Sequence, residues 1–362
     1  MAQGIGRNGE LFAQLIEPVH LLRCARAAAR GKRRNAAVAE FLLELEPRCF
    51  EIARRLREDA WLPGGYKSFW IQEPKLRLIS AAPFADRVVH HALVSIMEPW
   101  FERRFVAHSY ACRRGKGTHR ALRRAVELSK RRRFVLKCDI AKFFPSLDHE
   151  IVKQSVRRVV ADERFLRVLD LVVDGSNPQE PVVAWFAGDD LYSPVQRRLG
   201  LPIGNLTSQF LANVVLDGLD HHVMDELGFG EYVRYCDDFL VFHDDKDALW
   251  ELRARIVDKL ANLRLRLHPL KGGVHDCKSV FPFLGFAIDG GRTKLLGASV
   301  RRATRRFRAM EGLIAAGRLG TDDLARSQRA WLAHAQHADR KGVVRVVLGA
   351  RLAPERSATT AR

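Results

Sequence analysis

The sequence predicts an α+β fold, and two kinds of segment point to it. Long stretches place apolar residues three and four apart, the spacing of one helix face; shorter runs alternate or are continuously apolar between turn residues, as strands do. The 362 residues, 47% of them apolar, suffice for a sizeable core without disulfide or metal staples.

In chain order, residues 11–60 have helical spacing, interrupted at Gly31-Lys32-Arg33-Arg34 and ended by the turn residues Trp61-Leu62-Pro63-Gly64-Gly65. Tyr66 to Ile71 and Lys75 to Ile79 alternate, which predicts a hairpin across Glu73-Pro74. Pro83 to Phe105 is helical in pattern, with Val88, Ala92, Ile96 and Met97 on one face. A basic loop, Ala111 to Thr118, leads into a helix ending in Lys130-Arg131-Arg132-Arg133, and the apolar run Phe134 to Ile140 predicts a buried strand that carries Asp139 at its end. Residues 151–173 predict a helix, 174–194 a loop with a short ribbon, and 209–227 another helix. Tyr232 to Phe242 reads as strand, tight turn and strand, with Cys236-Asp237-Asp238 in the turn. A helix over 248–264, a strand over 281–288 and a turn at Gly290-Gly291 follow. From Ala298 onward the pattern is basic helix around an apolar stripe of Val300, Ala303, Phe307, Met310 and Ile314.

Charge narrows the partner. With 61 Lys+Arg against 42 Asp+Glu the formal net charge is +19, which points to a polyanion such as nucleic acid, a merely basic enzyme being the alternative. No apolar run approaches the ~18 residues of a membrane span, and Arg7, Glu10, Glu17 and Arg23 interrupt any signal-peptide layout. A cytoplasmic protein that does not touch membrane is expected. The six cysteines form no C-x-x-C pair, so scattered buried thiols in a reducing compartment are expected. His90-His91 and His221-His222 are adjacent, so their side chains diverge on a helix, against a metal role.

Three acidic residues occupy unusual places: Asp139 at the end of an apolar strand, and Asp237 and Asp238 in the turn of an apolar hairpin. Carboxylates there are costly unless compensated. Two divalent cations about 3.5–4 Å apart would compensate them, and are the usual device of in-line phosphoryl and nucleotidyl transfer. The alternative is an ordinary Asp-Asp turn and an unrelated strand-end Asp.

Context decides between the two. Tyr235-Cys236-Asp237-Asp238 resembles the Y-x-D-D box of reverse transcriptases. Asp139 to Ser146 (DIAKFFPS) resembles their first palm motif, Gly200 to Phe210 (GLPIGNLTSQF) the second, and Phe283-Leu284-Gly285-Phe286 the primer-grip hairpin. Order and spacing agree over about residues 66–345. The form Ile203-Gly204-x-x-x-Ser208-Gln209, together with Arg77-Leu78-Ile79-Ser80, Asp86 to Leu93 and Trp331 to Asp339, resembles the reverse transcriptases of diversity-generating retroelements.

This resemblance implies a right-hand polymerase with a helical N-terminal extension (1–65), fingers (66–135), a palm (136–292, with a finger insertion at about 151–200) and a helical basic thumb (293–362). At this length no RNase H or endonuclease domain is expected after the thumb. The resemblance implies error-prone copying of a template RNA, with unfaithful reading of adenines, and two Mg²⁺ ions. Its implied partners are the template RNA and cDNA primer–template, deoxynucleotides, and a small basic accessory variability protein that forms a pentamer. A defence-associated or free-standing bacterial reverse transcriptase, and a non-catalytic maturase-like RNA-binding protein, are the alternatives.

The resemblance carries roles onto individual residues. Asp139, Asp237 and Asp238 form the catalytic acidic set, and with the Ile140 carbonyl the metal ligands. Phe144 closes off the 2′ side of the sugar and so favours deoxynucleotides. Lys75 and Arg77 meet the incoming triphosphate, the Arg by its fork of donors, unless they are only a solvated strand face. Gly204 lets backbone approach the nucleotide. Ile203 stands where faithful relatives place an amide, so the loss of a polar contact weakens discrimination. Gln209 helps shape the nucleotide site, and Lys271 protonates the leaving pyrophosphate or is only a basic loop residue. Arg131, Arg132, Arg301, Arg305 and Arg308 are candidate nucleic-acid contacts, with a solvated basic face as the alternative.

Overall fold

The computed structural model describes residue 5 and residues 9–72, 76–339 and 343–348. Four helices come first: α1 (Glu10–Leu15), α2 (Pro18–Ala28), α3 (Ala36–Leu43) and α4 (Leu45–Arg57). Pro18 sits in the first turn of α2, where no N–H is needed. The Asn35 side chain caps α3 by accepting from the Val38 N–H. The hairpin β1 (Lys67–Gln72) and β2 (Leu76–Ala81) is antiparallel and stands out from the body, with β1 exposed throughout. Behind it α5 (Phe84–Glu102) buries Val88, Ala92, Ile96 and Met97 in the core.

The centre is a four-stranded antiparallel sheet in the order β4-β5-β3-β6, built from β3 (Phe134–Asp139), β4 (Tyr232–Tyr235), β5 (Asp238–His243) and β6 (Gly273–Asp276). Alternate residues face opposite cores. Leu136, Cys138, Phe239 and Val241 pack in the main core, which includes residues of α11 (Leu206–His221) and α12 (Lys246–Asn262). Val135, Leu240 and Phe242 pack in a second core against α6 (Thr118–Arg131) and the small sheet of β7 (Phe281–Phe283), β8 (Phe286–Asp289) and β9 (Arg292–Leu295). Burial of both faces is why β3 and β5 are mostly apolar, with Lys137 the interior exception.

Between β3 and β4 lie α7 (Phe143–Ser146), α8 (His149–Arg157), α9 (Glu163–Asp174), α10 (Ser193–Gln196) and α11, which runs on into a π-helical turn, His222–Glu226. A third core joins α13 (Gly297–Ala315), α14 (Thr321–Ala335) and α15 (Val343–Leu348) around Phe307 and Trp331.

Several sequence expectations are corrected. The helix expected over 151–173 is two, α8 and α9, because the Asp162 carboxylate accepts from the Phe165 N–H and starts a new helix, and also accepts from the Phe12 N–H. The ribbon expected in 174–194 does not form among the described residues; Asp189 and Asp190 take up the backbone amides of Phe186 and Ser193. The strand over 281–288 is a hairpin that turns at Leu284 and Gly285, whose φ values are 50° and 84°. Strand β6 was not anticipated. Four cysteines are buried, but Cys112 is exposed and Cys236 half-buried; all six are free. Among the described residues no helix is long and apolar enough to cross a membrane.

Candidate active site

The register of β3 against β5 sets Asp139 directly opposite Asp238. One residue on, the Ile140 N–H donates to the Asp237 carbonyl at 3.2 Å. On its other side Ile140 faces Leu267, flanked by hydrogen bonds from Ala141 N–H to Arg266 O and from His268 N–H to Asp139 O. Such a pair exchanges no bonds of its own, so the Ile140 carbonyl lies outside that ladder. The β4–β5 turn is tight because Cys236 adopts a left-handed conformation, φ 57°. The carboxylates that the sequence singles out therefore meet at one end of the sheet.

Their electrostatics are those of a crowded, partly dry site. Burial, followed by the Asp139 charge, pushes the Asp237 carboxyl above its ordinary range. Burial pushes Asp238 up to about 6, against the pull of Lys137. Lys271 Nζ donates to both Asp139 oxygens at 2.9 Å. Lys137 Nζ lies 3.5 Å from Asp238 and donates to the Pro282 carbonyl at 2.7 Å. Asp238 Oδ1 is buried and accepts no hydrogen bond.

A buried Asp238 oxygen that accepts no hydrogen bond and is ion-paired to Lys137 at 3.5 Å, beside two further carboxylates, is a donor set that fits a hard divalent cation. Among the described residues no three His, Cys, Asp or Glu side chains could hold an ion by themselves. Mg²⁺ takes one or two carboxylates plus substrate phosphates and water rather than an all-protein cage, so Asp139, Asp237 and the Ile140 carbonyl are a fitting set.

Backbone hydrogen bonds join the segments that carry several of the expected nucleotide-side residues. Half-buried Phe144 packs against Phe143, ring centres 5.5 Å apart, and its carbonyl accepts from the Leu201 N–H. That bond ties the segment after Asp139 to the Gly200–Phe210 segment. The Ile203 carbonyl accepts from the Ser80 N–H at 3.4 Å, which joins β2 to the same segment. Gly204 has φ 112°, and a Cβ there would meet Ile79 Cγ2 at 3.5 Å. Gln209 Oε1 accepts from the Cys112 thiol. Arg77 is exposed on β2. Lys75 lies outside the described residues.

Other expected contacts are placed differently. Phe283 and Phe286 are buried in the second core, so only the turn Leu284-Gly285 of the supposed primer grip faces outward, beside His334. Arg131 and Arg132 lie next to Phe134, at the end of β3 away from Asp139. Arg131 pairs with Glu127, and Arg132 with Glu231 and Asp244. They are not brought to the carboxylates. Arg301, Arg305 and Arg308 are exposed on α13, while Ala303 and Phe307 face the third core.

Sequence reasoning missed a buried polar group behind the turn: Arg234, with Asp220, Tyr232 and Asn213. The available signal was an arginine inside the apolar strand Tyr232–Tyr235.

Residues 69–288, more than half of the chain, match the protein family described as "Reverse transcriptase (RNA-dependent DNA polymerase)". This chain belongs to the reverse transcriptase family. The reverse transcriptase is 25% identical to Protein YkfC of Escherichia coli K12 over 61% of its own length and 65% of that protein. It is 31% identical to Nuclear intron maturase 1, mitochondrial, of Arabidopsis thaliana, over 24% of this chain and 12% of that one. It is 22% identical to the putative COX1/OXI3 intron 1 protein of Saccharomyces cerevisiae, over 43% and 18%. The chain thus spans less than two thirds of the length of each of these relatives. Among solved structures, apo telomerase from Candida tropicalis superposes with a TM-score of 0.47 at 12% identity, over 67% of this chain and 50% of that one. The α+β architecture of this chain is the right-hand polymerase fold of that family.

Proposed function

We propose that this reverse transcriptase is an RNA-directed DNA polymerase that adds deoxynucleotides to a 3′-hydroxyl, with fingers, palm and thumb at about 66–135, 136–292 and 293–362. The meeting of Asp139 and Asp237 at one end of the central sheet, beside the Ile140 carbonyl, carries this reading. Asp139, Asp237 and that carbonyl would hold a pair of Mg²⁺ ions, with Asp238 at their edge; when bound, such ions acidify the attacking hydroxyl and offset charge on the triphosphate. Phe144 shuts out a 2′-hydroxyl, Gly204 admits the nucleotide against backbone, and Lys75 and Arg77 meet its phosphates. Lys271 is a proton donor in reach of the leaving group once released from Asp139. The α13 arginines hold the template–primer. Primer extension on an RNA template tests the reading: Asp139→Asn and Asp237→Asn should each abolish extension and leave RNA binding intact.

Within this class the reading is mutagenic copying for a diversity-generating retroelement in the cytoplasm, with a pentameric accessory protein. The run Ile203-Gly204-x-x-x-Ser208-Gln209 supports it, since Ile203 brings only apolar contact where an amide would check the base pair. Sequencing the cDNA made from its own template RNA tests this: errors should fall at adenines, and Ile203→Gln should reduce them. Errors spread evenly over all bases would point to a free-standing enzyme. No extension at all, with tight RNA binding, would favour a maturase-like role, a role that one relative carries in its name.

A further inference from the structure

Arg234 is fully buried, 0% exposed, on the strand that leads into the catalytic turn. Burying a guanidinium is expensive unless its donors are used, and four of the five are. Nε donates to Asp220 Oδ1 at 2.6 Å and Nη2 to Asp220 Oδ2 at 2.5 Å. Nη1 donates to Asn213 Oδ1 at 3.0 Å and to the Cys236 carbonyl at 3.1 Å. Asp220 is itself held by the Tyr232 hydroxyl at 2.7 Å, and the Asn213 amide donates to the Ala111 carbonyl at 2.9 Å.

The geometry has a direction. Asn213 and Asp220 are seven residues apart on α11, two turns along one face, so a single rigid helix grips the guanidinium at two points. On the opposite side the backbone of Arg234 is clamped to the segment before the basic loop: its N–H donates to the His108 carbonyl, and its carbonyl accepts from the Tyr110 N–H. Nη1, which also donates to Asn213, reaches forward to the Cys236 carbonyl. That residue is the left-handed one, φ 57°, which a non-glycine side chain adopts only at a cost, and the next residue is Asp237.

We propose that Arg234 is a positioning residue: anchored on α11 by Asp220 and Asn213, it holds the Cys236 carbonyl and so sets where the Asp237 carboxylate stands against Asp139. The inference rests on the polymerase reading, through its metal site for the affinity arm and through its activity for the kinetic arm. A buried ion pair adds little net stability over apolar side chains of like volume, whereas a fixed hydrogen bond behind a ligand-bearing turn governs the ligand's aim.

The test separates stability from aim. In the double variant Asp220→Leu/Arg234→Met both buried charges go together, so the melting temperature should stay at or above the wild-type value. Mn²⁺ affinity, read directly by electron paramagnetic resonance titration of the nucleotide-free protein, should fall about tenfold or more. In primer extension kcat should fall with it, and KM for the deoxynucleotide should hold. Arg234→Lys keeps a cation beside Asp220 but cannot fork to Asp220 and Cys236 at once, and should show the same loss with the fold retained. A folded variant of either kind that binds Mn²⁺ like the wild type overturns the proposal. If neither folds, the network is a folding element and the proposal fails as well. A wild-type protein that binds Mn²⁺ but extends no primer would overturn the polymerase reading alone, because the affinity comparison still stands.

Discussion

Lys271 holds Asp139 in a symmetric grip, its ammonium nitrogen 2.9 Å from each carboxylate oxygen. Both oxygens are thus satisfied by a side chain that a bound divalent cation would have to displace. The lysine is about a third exposed, so water screens the pair and its worth is modest. Lys271→Gln should therefore raise Mn²⁺ affinity of the nucleotide-free protein by a few-fold, about the scale of an exposed ion pair. If the same lysine assists the leaving group, single-turnover extension should slow in the same variant. Tighter Mn²⁺ binding with slower chemistry is the expected signature; weaker binding would mean that Lys271 supports the site instead of competing for it.

Gly204 is constrained by its backbone. Its φ of 112° suits glycine, and a Cβ would sit 3.5 Å from Ile79 Cγ2 and 3.9 Å from the Ser80 carbonyl. Gly204→Ala should lower stability by about 1 kcal/mol or more from backbone strain. KM for deoxynucleotide should rise more than kcat falls. Thermal melts and steady-state extension measure the two effects; an unchanged KM would place the nucleotide elsewhere.

Phe144 sits between Phe143 and the Gly200–Phe210 segment, to which its carbonyl is bonded through the Leu201 N–H. If its ring walls off the sugar's 2′ side, Phe144→Val should open space for a hydroxyl. Ribonucleotide incorporation relative to deoxynucleotide should increase about tenfold or more, the usual yield of removing a few carbons from an apolar wall. Competition between labelled ATP and dATP on one template reads this ratio. A ratio that does not move would make Phe144 a core residue only.

What was legible in the sequence was what is local. Asp139 and Asp237 stand out because each breaks an apolar run at its end, and their neighbours spell motifs. The cap at Asp162 was hidden, because the apolar spacing of Ile151 to Val173 carries across it. Strand β6 had no pattern of its own: Gly273–Asp276 becomes a strand only because the edge of β3 offers it partners from Phe134 to Lys137. The primer-grip phenylalanines look like contacts in sequence and are core in space, since alternation assigns a side chain to a face without saying what covers that face. Arg234 shows the reverse. One basic residue in a strand cannot announce an acidic partner on a helix 14 residues earlier, and only the tertiary structure reveals that the two meet.

His90 supplies a prediction far from the site. It is buried, both ring nitrogens lack a hydrogen-bond partner, and burial, helped by the nearby His91 and Arg87 charges, lowers its pKa to about 3. In the unfolded chain the ordinary value of about 6.5 applies. Between those values the unfolded state takes up a proton that the folded state refuses, so stability rises with pH across that window. The contribution is complete above about 6.5 and is lost progressively as pH falls toward 3. A leucine of similar volume fills the site without nitrogens to satisfy and without a proton to exclude. His90→Leu should therefore melt higher than wild type at pH 7, because two buried polar atoms are gone. The gap should widen by about 2 kcal/mol between pH 7 and pH 5, at about 1.4 kcal/mol per unit once below 6.5. Denaturant unfolding of both proteins at the two pH values measures this, and parallel pH profiles would show that His90 is hydrated or bonded in solution and titrates normally.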